Sequence, residues 1–234
     1  MFGKIQLRFK DRATAGIILA EILKKEKLQQ CIVVLGVPRG GVVTANFVAR
    51  KLSRTAQSVD FNLILSRKLT DIDNKEQAVG AIMEDGTTYL DEELISMLQI
   101  TPEYLEKEKA VQIQEIKRRN SLYSAYWPVN RYEQFEDKTV ILVDDGASTG
   151  ATLIAAARWL RMRHTPKRLI IAGPIAPRDT VKVLEHESDA VKVVFTPSSA
   201  FRSVEQFYHD FGQVPDDRVI EILRARSLLD NVCR

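Results

Sequence analysis

The chain has little of what would assign it to a disulfide-rich, zinc-binding or membrane-bound class. Its 234 residues include only two cysteines, Cys31 and Cys233, which suggest neither a disulfide framework nor a zinc site. No apolar run approaches the roughly 20 residues that cross a bilayer, and the N-terminal segment lacks the apolar core of a secretory signal. We therefore expect a cytoplasmic protein without a membrane partner, with Cys31 buried at the start of a strand.

An excess of one charge is also missing. Lys and Arg number 34 and Asp and Glu number 31, which leaves a formal charge of only +3. A nucleic-acid partner is therefore not expected, because such proteins usually carry a clear basic stripe. The three histidines, His164, His186 and His209, are too widely separated to show the spacing of metal ligands.

What the chain does have is a regular alternation of apolar runs and amphipathic stretches, without internal repeats. The apolar runs predict strands at 31–35, 61–65, 140–143, 168–172 and 191–195. The amphipathic stretches predict helices at 12–25, 42–52, 153–163, 179–187 and 215–228. This order predicts one α/β domain over 1–234, with a mainly parallel, twisted sheet and helices on both faces. Ligands of such sheets bind beyond the carboxyl ends of the strands.

The most informative stretch is 140–152, an apolar strand that ends in two adjacent carboxylates, Asp144 and Asp145. A turn of small and hydroxyl-bearing residues follows, and then a helix. Backbone N–H groups at a helix N-terminus favour an anion, whereas two acids, which we expect to be exposed at the strand end, need hydroxyls or a metal as partners. A ribose 5-phosphate offers both a phosphate and a diol. The alternative is an ordinary strand, turn and helix with surface acids.

This stretch resembles the signature of the type I phosphoribosyltransferases, in which an apolar run leads into an acidic pair and a Thr-Gly-x-Thr turn. The resemblance implies that Asp144 and Asp145 are catalytic, hold the ribose hydroxyls of phosphoribosyl pyrophosphate and could contact its magnesium ion. It also implies a cradle for the 5-phosphate, formed by Gly146, Ala147, Ser148, Thr149, Gly150, Ala151 and Thr152.

Two further segments resemble the pyrophosphate side of that family. The first follows the strand at 31–35 and comprises Pro38, Arg39, Gly40 and Gly41. Glycines permit close backbone approach, and a forked arginine suits phosphate oxygens; a plain turn with a surface arginine is the alternative. The second is Arg67 with Lys68 after the next strand. Adjacent strand residues point to opposite sides, so one of the two could be structural, although the resemblance implies a catalytic role for Lys68.

The loop at 69–78 is polar, and a mobile loop in this position closes over the reaction in the family, where it excludes water. Its Glu76 is a candidate to contact the acceptor, and an ordinary surface connection is the alternative. A hairpin at 78–90, with its turn at Asp85-Gly86, and a helical stretch at 91–120 follow. Together they form an insertion of about 78–127, and we interpret its helical stretch as a solvated arm rather than a lid or dimer arm.

A segment at about 196–214 takes the place of the family's hood over the acceptor. Phe201 is the candidate to stack on a flat base, and Asp210 is a further candidate. One departure concerns Ser148, which stands where the 6-oxopurine branch of the family has an aspartate. Serine is a poor base unless another group activates it, so the purine-type role does not carry over.

The chain is still more similar to a group of uncharacterised phosphoribosyltransferase-like proteins. They share the Pro-Arg-Gly-Gly loop, Arg-Lys-Leu, a stretch like 74–82 and Val-Asp-Asp-Gly with Thr-Gly-Ala-Thr, over about residues 12–225. The resemblance implies transfer of a phosphoribosyl group to a nitrogen acceptor, such as a nucleobase, with Mg²⁺ brought by the substrate and pyrophosphate released. We also expect a homodimer. A non-catalytic sensor of the same sugar diphosphate and a sugar-phosphate hydrolase are the alternatives.

Overall fold

The computed structural model of the protein describes residues 8–26, 28, 31–56, 58–126, 135–197 and 201–227. The predicted helix end at Leu228, residue 127 of the arm, residues 198–200 of the hood and Cys233 lie outside these ranges. In chain order the elements are α1 (Arg12–Leu23), β1 (Cys31–Gly36), α2 (Gly40–Leu52), β2 (Ser58–Leu63), β3 (Ser66–Thr70), β4 (Ala78–Met83), β5 (Thr88–Leu90), α3 (Glu92–Met97), α4 (Pro102–Ser124), β6 (Thr139–Val143), α5 (Ala151–Arg163), β7 (Arg168–Ile175), α6 (Arg178–Glu187), β8 (Ala190–Phe195) and α7 (Asp216–Ser227).

Five of the strands form a parallel sheet in the order β2-β1-β6-β7-β8. Alternate side chains of its strands enter two separate cores, as the pleat requires. Ile32 and Val34 pack with the apolar faces of α1, α2 and α7, whereas Val33 and Leu35 pack with α5 and α6. The predicted α/β fold with helices on both faces is therefore confirmed.

A second, antiparallel sheet has the order β3-β4-β5. It contains the predicted hairpin, and it also contains Arg67 and Lys68, which lie within β3 rather than in a connection after β2. The polar loop consequently starts at Asp71 instead of Leu69. The hairpin packs on α5, so the small sheet lies beside the carboxyl edge of the large one.

The helical arm is not the solvated element that we expected. Helix α4 packs along β3 and buries Leu105, Ile116 and Tyr123 together with the charged residues Glu108 and Arg119. The error has a physical cause, because the apolar positions of this helix are few and its charges dominate the pattern. The helix starts at Pro102, where the preceding Thr101 caps it, since the Thr101 side chain accepts a hydrogen bond from the Tyr104 N–H at 3.2 Å.

The hood is a short segment with one turn of 3-10 helix, Val204–Phe207, that packs against the start of the chain. Phe207 is buried and its carbonyl accepts a hydrogen bond from the Phe9 N–H at 2.8 Å. Cys31, which we expected to be buried, is only half-buried at the start of β1. No helix within the described residues combines the length and apolar character needed to span a membrane.

Candidate functional site

The loops after β1 and β6 lie side by side at the carboxyl edge of the large sheet. The two strands are neighbours with Gly36 opposite Val143, and the Val37 N–H donates to the Val143 carbonyl at 3.0 Å. Between these loops, the small sheet, α4 and the hood lies a cleft of about 1090 Å³. Ligand pockets commonly measure roughly 300–1,000 Å³, so this cleft is large enough to hold a small-molecule ligand.

Every residue of the turn at 146–152 lines the cleft, and the turn leads into the N-terminus of α5. Gly150 adopts φ 75°, a left-handed conformation that favours glycine, and an added Cβ would lie 3.1 Å from Thr180 and Leu184. The Ala147 N–H donates to the Ile175 carbonyl at 2.8 Å. The Ala147 N–H is therefore used to hold the turn in place. The neighbouring N–H groups at the start of the helix are the ones suited to bind an anion, because a helix N-terminus favours negative charge.

The two acids lie at the floor of the same cleft, but they are less exposed than we expected. Burial, and then the charge of Asp145, raise the pKa of the Asp144 carboxyl above its usual range. Its Oδ1 accepts the Asp145 N–H at 2.8 Å, and its Oδ2 accepts the Thr152 hydroxyl at 3.4 Å. Asp145 forms an ion pair with Arg12, with Nε and Oδ2 2.6 Å apart. The expectation of freely exposed carboxylates is thus wrong, although both still face the cleft.

The glycines of the β1 loop lie directly against these acids. A Cβ on Gly40 would lie 1.9 Å from Asp145 Oδ2, and one on Gly41 would lie 2.7 Å from Asp144 Oδ1. Both distances are too short for any side chain, which explains why two glycines stand here. Pro38, Arg39 and Gly40 line the cleft, while Gly41 lies behind them at the start of α2. Arg39 is consequently placed within the same cavity as the acid pair.

Arg67 and Lys68 point to different sides of β3, yet both line the cleft. Arg67 is directed at α4, where its Nε donates to Gln112 Oε1 at 2.8 Å. Burial, and then the positive charge of Arg119, lower the pKa of Arg67. Lys68 is exposed, and its charge acts on Asp144 in the direction opposite to burial. Both basic residues are therefore positioned to face a ligand.

The three residues that we considered as contacts for the acceptor, Glu76, Phe201 and Asp210, do not all lie in the cleft. Glu76 lines the mouth of the cleft. Phe201 stacks on Phe207, with ring centroids 6.0 Å apart and planes at 17°, and does not line the cleft. Asp210 is exposed outside it, where it accepts the Gly212 N–H at 3.4 Å. Among the residues that the structure describes, the aromatic ring that lines the cleft is that of Phe211.

Sequence reasoning missed several residues that the structure brings to the cleft. Arg12 ion-pairs with Asp145, places its guanidinium 3.8 Å from the Phe211 ring centre and donates to the Gly212 carbonyl at 2.9 Å. Glu108 and Gln112 reach the cleft from α4. No local spacing could have indicated Arg12, which is 133 positions from Asp145. Its charge at the first residue of a mostly apolar helix was the one available signal.

The turn at 146–150 also matches the Gly-x-Ser-x-Gly pattern of serine hydrolases, whose serine stands between a strand and a helix. A hydrolase of that kind needs a base beside the serine. Among the described residues that line the cleft there is no histidine. The pattern therefore does not amount to a catalytic triad around Ser148.

The fold and the cleft together define an α/β protein with a ligand site at the carboxyl edge of a parallel sheet. Residues 9–212 match the family model of the phosphoribosyl transferase domain, and the chain belongs to this family. It is 32% identical over 221 residues to proteins of two Mycobacterium tuberculosis strains, CDC 1551 / Oshkosh and ATCC 25618 / H37Rv, each named "Putative phosphoribosyl transferase".

That alignment covers 92% of this chain but 46% of each relative, so the chain spans about half the length of the curated relatives it matches. The crystal structure of the protein TT1426 from Thermus thermophilus is similar over nearly its whole length. It superposes with a TM-score of 0.72 at 35% identity, covering 94% of this chain and 99% of that one.

Proposed function

We propose that the protein transfers the phosphoribosyl group of phosphoribosyl pyrophosphate to a nitrogen acceptor and releases pyrophosphate. One observation carries the proposal. A phosphate-type turn, an acid pair and a group of basic residues that includes Arg39, Arg67 and Lys68 line a single cleft, and the glycines beside Arg39 lie against the acids. A ligand with a phosphate, a vicinal diol and a diphosphate presents one group that suits each of these three parts.

In the proposed reaction each part of the cleft contacts a different group of the substrate. The N–H groups of the 146–152 turn hold the 5-phosphate, so that binding energy far from the reacting carbon positions it. Asp144 and Asp145 accept hydrogen bonds from the ribose hydroxyls, and their negative charge favours the cationic character that develops at the anomeric carbon. Arg39, Arg67 and Lys68 face the leaving pyrophosphate.

The residues present also suit the magnesium ion that such a donor carries. Carboxylate oxygens are ligands that Mg²⁺ accepts, and Asp144 is a half-buried acid beside a second negative charge, whose repulsion a bound cation would relieve. When bound, the ion would supply positive charge that lowers the cost of forming free pyrophosphate. Asp144 and Asp145 are the residues that would hold it on the protein side.

The two alternatives gain less support from the described residues. A regulator that binds a nucleic acid or a partner through α4 would use its short basic run, Lys117-Arg118-Arg119, and would need these charges to be free. Arg118 and Arg119 both ion-pair with Glu115, at 2.7 and 2.8 Å. A hydrolase would need an activated nucleophile, and no histidine among the described lining residues accompanies Ser148.

The test is to incubate the protein with donor, magnesium and a panel of nitrogen bases and to measure released pyrophosphate. The Asp144→Asn/Asp145→Asn double variant is the matched control, because it keeps the shape of both side chains. We expect release with at least one base for the natural protein and none for the variant. Donor binding without release for every base would favour the sensor instead.

A further inference from the structure

A series of hydrogen bonds through three side chains links α4 to the pyrophosphate side of the cleft. Arg67 Nε donates to Gln112 Oε1 at 2.8 Å, and Gln112 Nε2 donates to Glu108 Oε1 at 3.0 Å. The same Glu108 oxygen accepts the Thr70 hydroxyl at 3.1 Å. All four residues line the cleft, and Thr70 belongs to the same strand as Arg67.

The donor and acceptor groups of these side chains fix the direction of each hydrogen bond in the series. A carboxylate oxygen can only accept hydrogen bonds, so Glu108 Oε1 holds the NH₂ group of Gln112 on its own side. The amide oxygen of Gln112 must then face Arg67, which can only donate. Glu108 itself is held firmly, because only 8% of its surface is exposed. None of the ion pairs found in the described part of the chain involves Glu108.

The consequence concerns the far end of the Arg67 guanidinium. One of its N–H groups is taken by a neutral amide oxygen, and its two terminal nitrogens hydrogen-bond to none of the described residues. A carboxylate in place of Gln112 would have neutralised the arginine. Instead Arg67 forms no ion pair with any of the described residues, and the charges of Glu115 and Glu108 act on it without direct pairing. Burial, and then the positive charges of Arg119 and Arg39, lower the pKa of Arg67.

We propose that Gln112 and Glu108 are positioning residues that aim Arg67 at the pyrophosphate end of the donor while leaving its charge available. This inference rests on the proposed function. It gives α4 a role in the site, because the inserted arm supplies both residues. A forked guanidinium held at one edge presents its other edge in a fixed direction, and this suits bidentate contact with phosphate oxygens.

The test compares two fragments of the donor, magnesium pyrophosphate and ribose 5-phosphate, by calorimetry. For Gln112→Leu we expect pyrophosphate affinity to fall about tenfold, or about 1.4 kcal/mol, and ribose 5-phosphate affinity to stay unchanged. Glu108→Gln retains an acceptor for the Gln112 amide and should weaken pyrophosphate binding less than Glu108→Leu. Glu106→Gln, in an exposed pair on the same helix, is the matched control.

Two more variants separate positioning from support of the fold. In an Arg67→Ala background, Gln112→Leu should have no further effect on pyrophosphate binding. Gln112→Glu keeps the size and polarity of the side chain but pairs Arg67 with a negative charge, so it should also weaken pyrophosphate binding. The inference is overturned if Gln112→Leu weakens both fragments equally, or neither. If the natural protein binds neither fragment, the proposed function itself fails, and the inference with it.

Discussion

Asp145 is held from three directions by residues distant in sequence. Arg12 pairs with its carboxylate at 2.6 Å, the Tyr208 hydroxyl donates to its carbonyl at 2.6 Å, and Gly40 packs against the same carboxylate. The hood, the first helix and the β1 loop therefore meet at one residue. An acid held in this way keeps its position before any ligand arrives, and such preorganisation lowers the cost of binding.

The close contact between Gly40 and Asp145 predicts the effect of adding a single methyl group at position 40. A Cβ at this position would lie 1.9 Å from Asp145 Oδ2, so Gly40→Ala must displace the carboxylate or the loop. We expect donor affinity to fall by at least about tenfold, measured by calorimetry. Gly173→Ala is the matched control, because its nearest neighbour would lie 3.8 Å away. Equal donor affinity in both variants would contradict the contact.

A second prediction at this scale concerns Asp144 and pH. Its pKa is raised above the ordinary value of 3.8, first by burial and then by Asp145. A carboxyl with a raised folded pKa contributes its full stability below the unfolded pKa and loses it as pH rises through the folded value. Asn does not titrate. Asp144→Asn should therefore gain stability relative to the natural protein as the pH rises above 3.8, the ordinary pKa of an aspartate, while losing donor affinity.

Urea unfolding of both proteins at a series of pH values from acidic to neutral measures the difference in their free energy of unfolding. A stability difference that stays constant with pH would show that Asp144 does not titrate abnormally. Asp179→Asn provides a control, because that aspartate is almost fully exposed, at 94% of its side chain, in a surface pair with Lys182. Its effect on stability should be small at every pH.

Single residues also show how far the sequence could lead. The acid pair, the turn and the glycine loop were recognisable because each is a contiguous run whose chemistry is local. Arg12, Glu108 and Gln112 were not, because their roles arise only when distant elements come together. Phe201 was chosen as the stacking residue and Phe211 lies in the cleft instead, since spacing alone cannot tell which of several aromatics faces the core.

At the scale of elements, α4 is connected to the rest of the fold by charged groups. Glu115 pairs with both Arg118 and Arg119, and Arg118 also reaches Asp216 at the start of α7 at 2.9 Å. The Tyr123 hydroxyl donates to the same aspartate. Since α4 also carries Glu108 and Gln112, this network supports the position of the cleft wall.

This network gives a prediction for Glu115→Gln. The hydrogen bonds from Arg118, and then from Arg119, lower the pKa of Glu115 from 4.5 to about 2. A depressed carboxyl pKa contributes stability above the unfolded pKa and loses it as pH falls through the folded value. At pH 7 we expect Glu115→Gln to lower the free energy of unfolding by about 1 kcal/mol, because the group is partly solvated.

The difference should shrink as the pH falls from 4.5 towards 2, where the natural protein also loses the charge. Guanidinium unfolding at pH 7 and pH 3 gives both values. Glu106→Gln is the comparison, because Glu106 forms a similar pair with Lys109 at 2.7 Å but is 72% exposed. A larger effect for Glu106 than for Glu115 would contradict the proposed importance of the network.

The elements also show where sequence patterns stop short. Strand β7 was expected to end before Gly173 and Pro174, yet it continues to Ile175. Gly173 and Ile175 pair with β8, whereas the pairing with β6 ends at Ala172. Pro174 thus lies where β7 has a neighbour on one side only, and its missing N–H removes no sheet hydrogen bond. Strand order of this kind cannot be read from one segment.

At the scale of the whole molecule, the cleft exists because four separate parts of the fold converge. The large sheet contributes the loops after β1 and β6, the small sheet contributes β3, and the arm and hood close the sides. The alternation of strands and helices predicted the large sheet and the edge at which it would bind a ligand. It did not predict the second sheet or the buried arm. The homodimer remains a prediction, which light scattering in solution would test.

The last prediction uses the stability of the whole protein to report on the site. A ligand that binds only the folded state at 100 times its Kd stabilises it by about 2.7 kcal/mol. For a domain of 150–250 residues, each kcal/mol raises the melting temperature by about 2–4 °C. Phosphoribosyl pyrophosphate with magnesium should therefore raise it by about 5–10 °C.

The Asp144→Asn/Asp145→Asn variant should unfold in one transition and show no such increase, because its fold keeps both cores but its site lacks the two carboxylates. Magnesium alone is the control for a general effect of the ion on both proteins. If the donor raised both melting temperatures equally, the carboxylates could not be its ligands, and the cleft would have to bind the sugar diphosphate through the turn and the basic residues alone.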